Sequence, residues 1–146
     1  MRVLAVDYGE KRVGLAVSDV LELTANPLMV IERRGGDEEA VMAEIGRVVA
    51  AEEVEEVVVG VPLNPDGSAG PAAGAAAAFA VALAGRLTVP VHTIDEHLTT
   101  VEAEASLRRD EQGGSRRARL RRRRVIDKLA AAVILRDYLN SRRRNG

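Results

Sequence analysis

Cysteine is missing from this sequence altogether. That excludes disulfides, thiolate zinc sites and a thiol nucleophile. Histidine is scarce, with His92 and His97 alone, so an imidazole-rich metal site is disfavoured as well. A metal here has to be held by oxygen ligands, which favours Mg²⁺ or Mn²⁺. Aromatic residues make up 2% of the 146 residues, and so few rings argue against reading single strands by base stacking. No strongly apolar run of membrane length is present. Residues 67–85 carry no charge over 19 positions, but Ala and Gly dominate them and Pro71 interrupts them. A bilayer span needs about 20 strongly apolar residues, so this stretch reads as an Ala-rich helix packed closely on a sheet. The N-terminus runs directly into a strand, without a signal-peptide pattern. The expectation is a soluble, cytoplasmic protein with no membrane attachment. The span 1–146 suits one domain with a single core.

Charge is unevenly spread, and the net value of −1 conceals the division. Residues 1–107 hold 7 basic and 18 acidic side chains, whereas 108–146 hold 14 basic and 4 acidic. Such asymmetry within one chain points to a polyanionic partner met by the basic end.

Two apolar runs, 3–6 and 13–17, flank a polar turn at 8–12 that contains Gly9. They read as an antiparallel hairpin. Asn26-Pro27 reads as a turn, and 28–31 as a short third strand. Asp37 is a candidate N-cap for a helix to about Glu52, with Val41, Ile45, Val48 and Val49 as its apolar stripe. Val57, Val58 and Val59 sit in a run over 55–60 that suits a strand covered on both faces, usually a parallel one. A Pro- and Gly-rich loop over 61–70 leads to the Ala-rich helix near Pro71, a favoured first-turn residue. A strand over 89–94 ends at Asp95-Glu96. Thr99-x-x-Glu102 fits a capping box and predicts a helix over about 100–107. Residues 112–115 are loop-like, and the last helix is expected over about 124–139. The order β-β-β-α-β-α-β-α-α gives a mixed α/β sheet with helices on its faces. Sites in open sheets of this kind form at the carboxyl edge, and Asp7, Asn64 and Glu96 are all expected just past strand ends.

Alternation along the first strand gives Asp7 the face of Val3 and Ala5. A carboxylate at the rim of a buried face is costly unless a cation or donor compensates it, as happens for a metal ligand. The plainer alternative is that Asp7 caps its own turn. Asp127 shares a helix face with Ala130, Ala131 and Ile134. There it either reaches a cation past small neighbours or stabilises the helix start through the dipole. Glu96, like Asp95, is either a solvated loop residue or part of a site. Three acids from distant segments are compatible with a two-metal centre. In such a centre two divalent ions about 4 Å apart activate a water and stabilise the leaving oxygen of a phosphodiester.

The stretch Asp7-Tyr8-Gly9-x-Lys11-Arg12-Val13-Gly14-x-Ala16-x-Ser18-Asp19 closely resembles the opening motif of the YqgF/RuvX family of RNase H-like nucleases. The resemblance continues in Val59-Gly60-Val61-Pro62-Leu63-Asn64 with Asp66-Gly67-Ser68. It resumes in Asp95-Glu96-x-Leu98-Thr99-Thr100 with Ala103-Glu104, and ends in Asp127-x-x-Ala130-Ala131 followed by Leu135 and Asp137-Tyr138-Leu139. It implies an α/β, RNase H-like mixed sheet, with three antiparallel meander strands plus parallel strands and helices on both faces. It also implies that Asp7, Glu96 and Asp127 are the catalytic acids and the ligands of Mg²⁺ or Mn²⁺. The activity implied is metal-dependent endonuclease action, linked to 5′ maturation of precursor 16S rRNA. Some members resolve four-way (Holliday) DNA junctions. A catalytically degenerate nucleic-acid-binding module is the competing class, and retention of all three acids speaks against it. Two departures stand out: His97 where the family commonly has Arg, and Pro65 where Met is common.

Seven arginines lie within nine positions: Arg116, Arg117, Arg119, Arg121, Arg122, Arg123 and Arg124. Arg forks suit phosphate oxygens and give salt-sensitive, sequence-independent affinity. A solvated flank is the plainer reading. Beside a carboxylate site these residues, with Lys11, Arg12 and Asn64, form the expected nucleic-acid-binding set. The loop at 64–70 either binds a phosphate through its amides or is a simple strand-to-helix turn. Every apolar helical stripe visible in the sequence is needed to cover one sheet, which predicts a monomer or weak homodimer. Trimming a precursor RNA needs one active site and symmetric junction cleavage needs two, so the RNA ranks first.

Overall fold

A computed structural model of the chain describes residues 1–97 and 114–145. In order, these form β1 (Val3–Tyr8), β2 (Arg12–Ser18), β3 (Ala25–Glu32), α1 (Glu38–Ala51), β4 (Glu56–Leu63), α2 (Pro71–Ala84), β5 (Val91–His97) and α3 (Arg116–Asn145). The helix expected over 100–107, its cap at Thr99 and the loop residues 112–113 lie outside the described residues.

The five strands form one sheet in the order β3-β2-β1-β4-β5. Strands β1, β2 and β3 meander antiparallel, while β4 runs parallel to both β1 and β5. Alternation then sorts side chains between two layers. Leu4, Val6, Val57 and Val59 pack with α1 and α2 on one face. Val3, Ala5, Ala16 and Val58 pack with Ala131, Ile134, Leu135 and Leu139 of α3 on the other. The continuous Val57-Val58-Val59 run is therefore buried on both sides, and the mixed sheet with helices on both faces is as expected.

Local chemistry explains most boundaries. Asp37 caps α1 by accepting the Ala40 amide at 3.2 Å, and Pro71 opens α2. Three expectations need correction. Asn26 and Pro27 lie inside β3, not in a turn; Pro27 pairs with Ala16 where the register slips between Leu15 and Ala16. An edge strand with a bulge is where proline is tolerated, because its missing N–H is not needed by the ladder. The chain turns earlier, where the Asp19 carboxylate accepts the amides of Leu23 at 2.8 Å and Thr24 at 2.7 Å. Second, β1 and β5 run on to Tyr8 and His97, so Asp7, Asp95 and Glu96 are strand residues and only Asn64 follows a strand end. Third, α3 begins at Arg116 and takes in the whole arginine run. Ser115 accepts the Ala118 amide at 3.1 Å as its cap, and Arg is a good helix former that continues it.

Two glycines let α3 lie unusually close to the sheet. A Cβ on Gly60 would fall 2.5 Å from Ile134 Cδ1, and one on Gly14 would fall 2.3 Å from the Asp127 carbonyl oxygen. Toward its C-terminus the helix is fastened by Glu56, which is 4% exposed. Its carboxylate accepts hydrogen bonds from the Tyr138 hydroxyl and, at 2.8 Å, from Arg142 Nη1. Among the described residues one face of α3 is left partly open, with Val125 50%, Leu129 48% and Val133 37% exposed. That overturns the expectation that every apolar stripe is spent on the sheet.

Gly14→Ala should be severely disruptive for its size, because backbone rather than a flexible side chain occupies the space. Denaturant unfolding should show a loss of about 2–3 kcal/mol, as for an overpacked core. An unchanged midpoint would mean that α3 does not rest on Gly14.

Candidate active site

Strand pairing places Asp7 opposite Gly14. Residues paired in this way have Cα atoms about 4.5–5.5 Å apart. The backbone of Asp127 occupies the space in front of Gly14, so it lies directly beside Asp7, on the sheet face that α3 covers. Two acids separated by 120 positions in sequence thus become neighbours because one strand residue between them has no side chain.

The electrostatics record this approach. Burial first, and then the negative charge of Asp127, push the Asp7 carboxyl from 3.8 up to about 6. Asp127 is compensated: its Oδ2 accepts Arg12 Nε at 2.8 Å, with the two side chains 14% and 27% exposed. No hydrogen bond or ion pair to Asp7 is recorded among the described residues.

Glu96, on β5, pairs with Pro62 on β4, and Ile94, two residues earlier, packs on the α3 side. Alternation gives Glu96 that same face. It lies further along the carboxyl edge than Asp7, since β1 pairs with β4 only as far as Val6 and Val59. Among the described residues no three His, Asp or Glu side chains come together closely enough to hold a metal ion. Asp7 and Asp127 are therefore brought together, while Glu96 stands on the same face without completing a triad. The donor chemistry suits a hard divalent cation. Two carboxylates from separate elements converge, and the unrelieved charge of one is the kind of cost a cation removes.

The basic residues divide. Lys11, Arg12, Arg116, Arg119, Leu120 and Arg123 line an open cleft of about 490 Å³ next to Asp127. Arg121 and Arg122 instead line a separate groove with Ala118, Val125, Ile126 and Leu129. At about 100° per residue, a continuous arginine run cannot stay on one side of a helix. Arg124 is paired with Glu32 at 3.1 Å, and Arg117 is exposed outside both recesses. The Asn64 loop binds itself. Asn64 Nδ2 donates to Ser68 Oγ at 2.9 Å, and the amides of Asn64, Gly67 and Ser68 donate within the loop. Three of the amides that a phosphate would need are thus already used, and the strand-to-helix turn is the reading that fits. His97 ends β5 opposite Leu63, close to this loop at Gly67.

Sequence reasoning missed two participants. Gly14 had a usable signal, since a glycine inside an apolar strand marks a close approach by another backbone. The Arg12–Asp127 pair had none, because nothing local links residues 115 apart.

A raised carboxyl pKa sets the sign of a stability test. The protonated form of Asp7 is favoured on folding, so its contribution is fully present below pH 3.8 and lost as pH rises through about 6. Without divalent ions, Asp7→Asn should therefore stabilise the fold at pH 8, by up to about 3 kcal/mol. The gain should vanish below pH 4, and melting curves across pH would show it. An Asn variant less stable than the parent at pH 8 would contradict the burial argument.

Similarity to known proteins bears on the family and the fold. The family model described as "RuvX: Holliday junction resolvase" matches residues 1–141. A protein of Anaeromyxobacter sp. named "Putative pre-16S rRNA nuclease" is 48% identical over 97% of this chain and 98% of its own. Its counterpart of the same name in Moorella thermoacetica is 45% identical over 100% and 99%. Among solved structures, Thermus thermophilus RuvC aligns with TM-score 0.55 at 18% identity, covering 97% of this chain and 96% of its own. The fowlpox virus Holliday junction resolvase aligns with TM-score 0.55 at 17% identity, over 97% and 99%. At such identities the structures testify to the fold alone.

Proposed function

The chain belongs to the RuvX family and is a nuclease; we propose that it cuts precursor 16S rRNA at a divalent-metal centre built on the converging Asp7 and Asp127, with Glu96, on the same sheet face, as its third acid. The observation that carries this is the Asp7–Asp127 juxtaposition, joined through Arg12 to a cleft lined by five cationic side chains. Mg²⁺ or Mn²⁺, when bound, supplies Lewis-acid stabilisation of the charge that develops on the phosphoryl oxygens. Asp7 contributes a carboxylate that must be ionised to bind a cation, so activity should be lost toward acid pH, with a midpoint that falls as metal concentration rises. Lys11, Arg116, Arg119 and Arg123 hold the backbone of the nucleic acid along the cleft. No helix among the described residues is long and apolar enough to cross a membrane, and the reading places the protein in the cytoplasm with its RNA.

The test is cleavage of precursor 16S rRNA by purified protein with Mg²⁺, with Mn²⁺ and with chelator. Asp7→Asn should bind the RNA yet cut at background level. Metal-independent cutting by that variant would sink the proposal. The partly open Val125, Leu129 and Val133 face of α3 favours a second reading. A two-fold dimer through that face would present two sites to a four-way junction. Sedimentation beside junction cleavage separates the two. A tight dimer that cuts junctions symmetrically and leaves precursor rRNA intact would move the assignment.

Binding can be tested apart from chemistry. Replacing Arg116 and Arg119 with Ser should reduce the log–log salt slope on duplex nucleic acid by about 1.8, at about 0.9 per lost phosphate contact. Arg117→Ser, outside the cleft, should leave the slope nearly unchanged. Equal slopes for all three proteins would make the arginine run a solvated flank.

A further inference from the structure

The hairpin turn beside the acids is gripped by one residue from outside it. Between β1 and β2 the chain crosses in three residues, Gly9, Glu10 and Lys11. The carbonyls of Gly9 and Glu10 each accept Arg33 Nη1 at 2.9 Å, and the Lys11 carbonyl accepts the Arg33 amide at 2.9 Å. All three carbonyls of the loop thus accept from the same residue. Arg33 follows directly after β3, and its side chain is only 12% exposed.

The grip is itself anchored. The Arg33 guanidinium lies over the Tyr8 ring, 4.6 Å from its centroid, and Tyr8 stacks on Phe79 of α2 with centroids 4.2 Å apart. Glu38, in the first turn of α1, accepts the Tyr8 hydroxyl and lies 3.5 Å from Arg33 Nη2. Tyr8 belongs to the sheet face that α1 and α2 cover, and alternation gives Asp7 the opposite one. Arg33 does not line the basic cleft. It acts through the turn and not by touching a substrate.

The two cations that this turn delivers to the cleft are held differently. Arg12 is fixed by Asp127. Lys11 is exposed, lines the cleft and has no ion pair among the described residues. A lysine is a point charge on a flexible stem, so its placement depends on the backbone that carries it. Exposed loop tips are the mobile parts of a fold unless something holds them. Charge-assisted bonds to the loop carbonyls remove that freedom beforehand, and freedom already removed is not lost on binding. We infer that Arg33 is a positioning residue for nucleic acid, presetting the Gly9–Lys11 turn so that Lys11 meets the backbone phosphates in the cleft. This rests on the nuclease reading and adds to it a residue on the far side of the sheet from the acids.

A double-mutant cycle on binding tests the role apart from turnover. Affinity of the full chain for a labelled duplex RNA is measured in chelator at one fixed salt concentration, since phosphate contacts are salt-sensitive. Arg33→Met keeps a stem over Tyr8 and removes every side-chain donor; it should weaken binding about fivefold, within the range for residues that act together. In a Lys11→Ser background the same change should cost less than about twofold, and in an Arg116→Ser background about fivefold again. A melting curve accompanies each protein. A brace that served stability alone would lower the midpoint and cost the same affinity in every background. No loss, or equal losses in all three backgrounds, would overturn the role given to Arg33 and leave the nuclease reading standing. Should Arg33→Met fail to fold, Arg33→Lys carries the same cycle. It keeps the charge without the fork, and its smaller loss should again shrink beside Lys11→Ser. No RNA binding by the parent protein and no cleavage of precursor rRNA would overturn both.

Discussion

At Gly14 the lack of one methyl group lets the backbone of α3 rest on β2, with the Asp127 carbonyl oxygen where a Cβ would lie. Everything distinctive about the site follows from that contact. It sets Asp127 beside Asp7, which pairs with Gly14 across the hairpin. It brings Asp127 within reach of Arg12, two residues before Gly14 on the same strand. It also carries the first turns of the helix, and hence Arg116 and Arg119, to the edge of the cleft. Gly60 under Ile134 continues the same close seat further along the helix.

The two sheet edges treat a carboxylate in opposite ways. At the amino edge Glu56 is almost wholly buried, yet it receives the Tyr138 hydroxyl and Arg142, and His92 Nε2 lies 3.1 Å away. A buried charge satisfied from several sides fastens elements together and has no capacity left for chemistry. At the carboxyl edge Asp7 is shielded from water and faces another acid, with no such partners among the described residues. A carboxylate left uncompensated in that setting is stored electrostatic cost, and a cation releases it. Glu56 holds α3 in place, and Asp7 sits beside the other end of the helix. About 22 Å of helix separates Asp127 from Arg142, at 1.5 Å per residue, so the two ends of α3 serve these roles independently.

Much of this was legible in the sequence, for physical reasons that differ by element. Alternation gave Asp7 its face, the apolar run at Val57–Val59 gave a strand covered on both sides, and Asp37 gave the start of α1. Motif resemblance supplied the pairing of Asp7 with Asp127 that spacing alone could not. Asn26-Pro27 misled because turn residues also occur at bulges on edge strands, and only the sheet order shows which applies. The start of α3 misled because a charge run looks like a flank until a cap such as Ser115 is seen to open a helix through it. The Arg12–Asp127 pair was invisible, since it exists only once α3 has docked. So was the partly open face of α3, since counting apolar stripes does not reveal which of them the sheet has room for.

Docking at Gly14 brings the acids together, and paramagnetic broadening can watch that place directly. In amide spectra of the intact chain, trace Mn²⁺ erases signals from residues close to the bound ion. The account predicts that the amides of Asp7, Gly14 and Asp127 fade together at the first additions, before those of Asp66 in the loop or Glu38 and Glu39 on α1. Loss of the loop or α1 signals first, with residues 7, 14 and 127 still sharp, would show that the contact at Gly14 does not build a metal site.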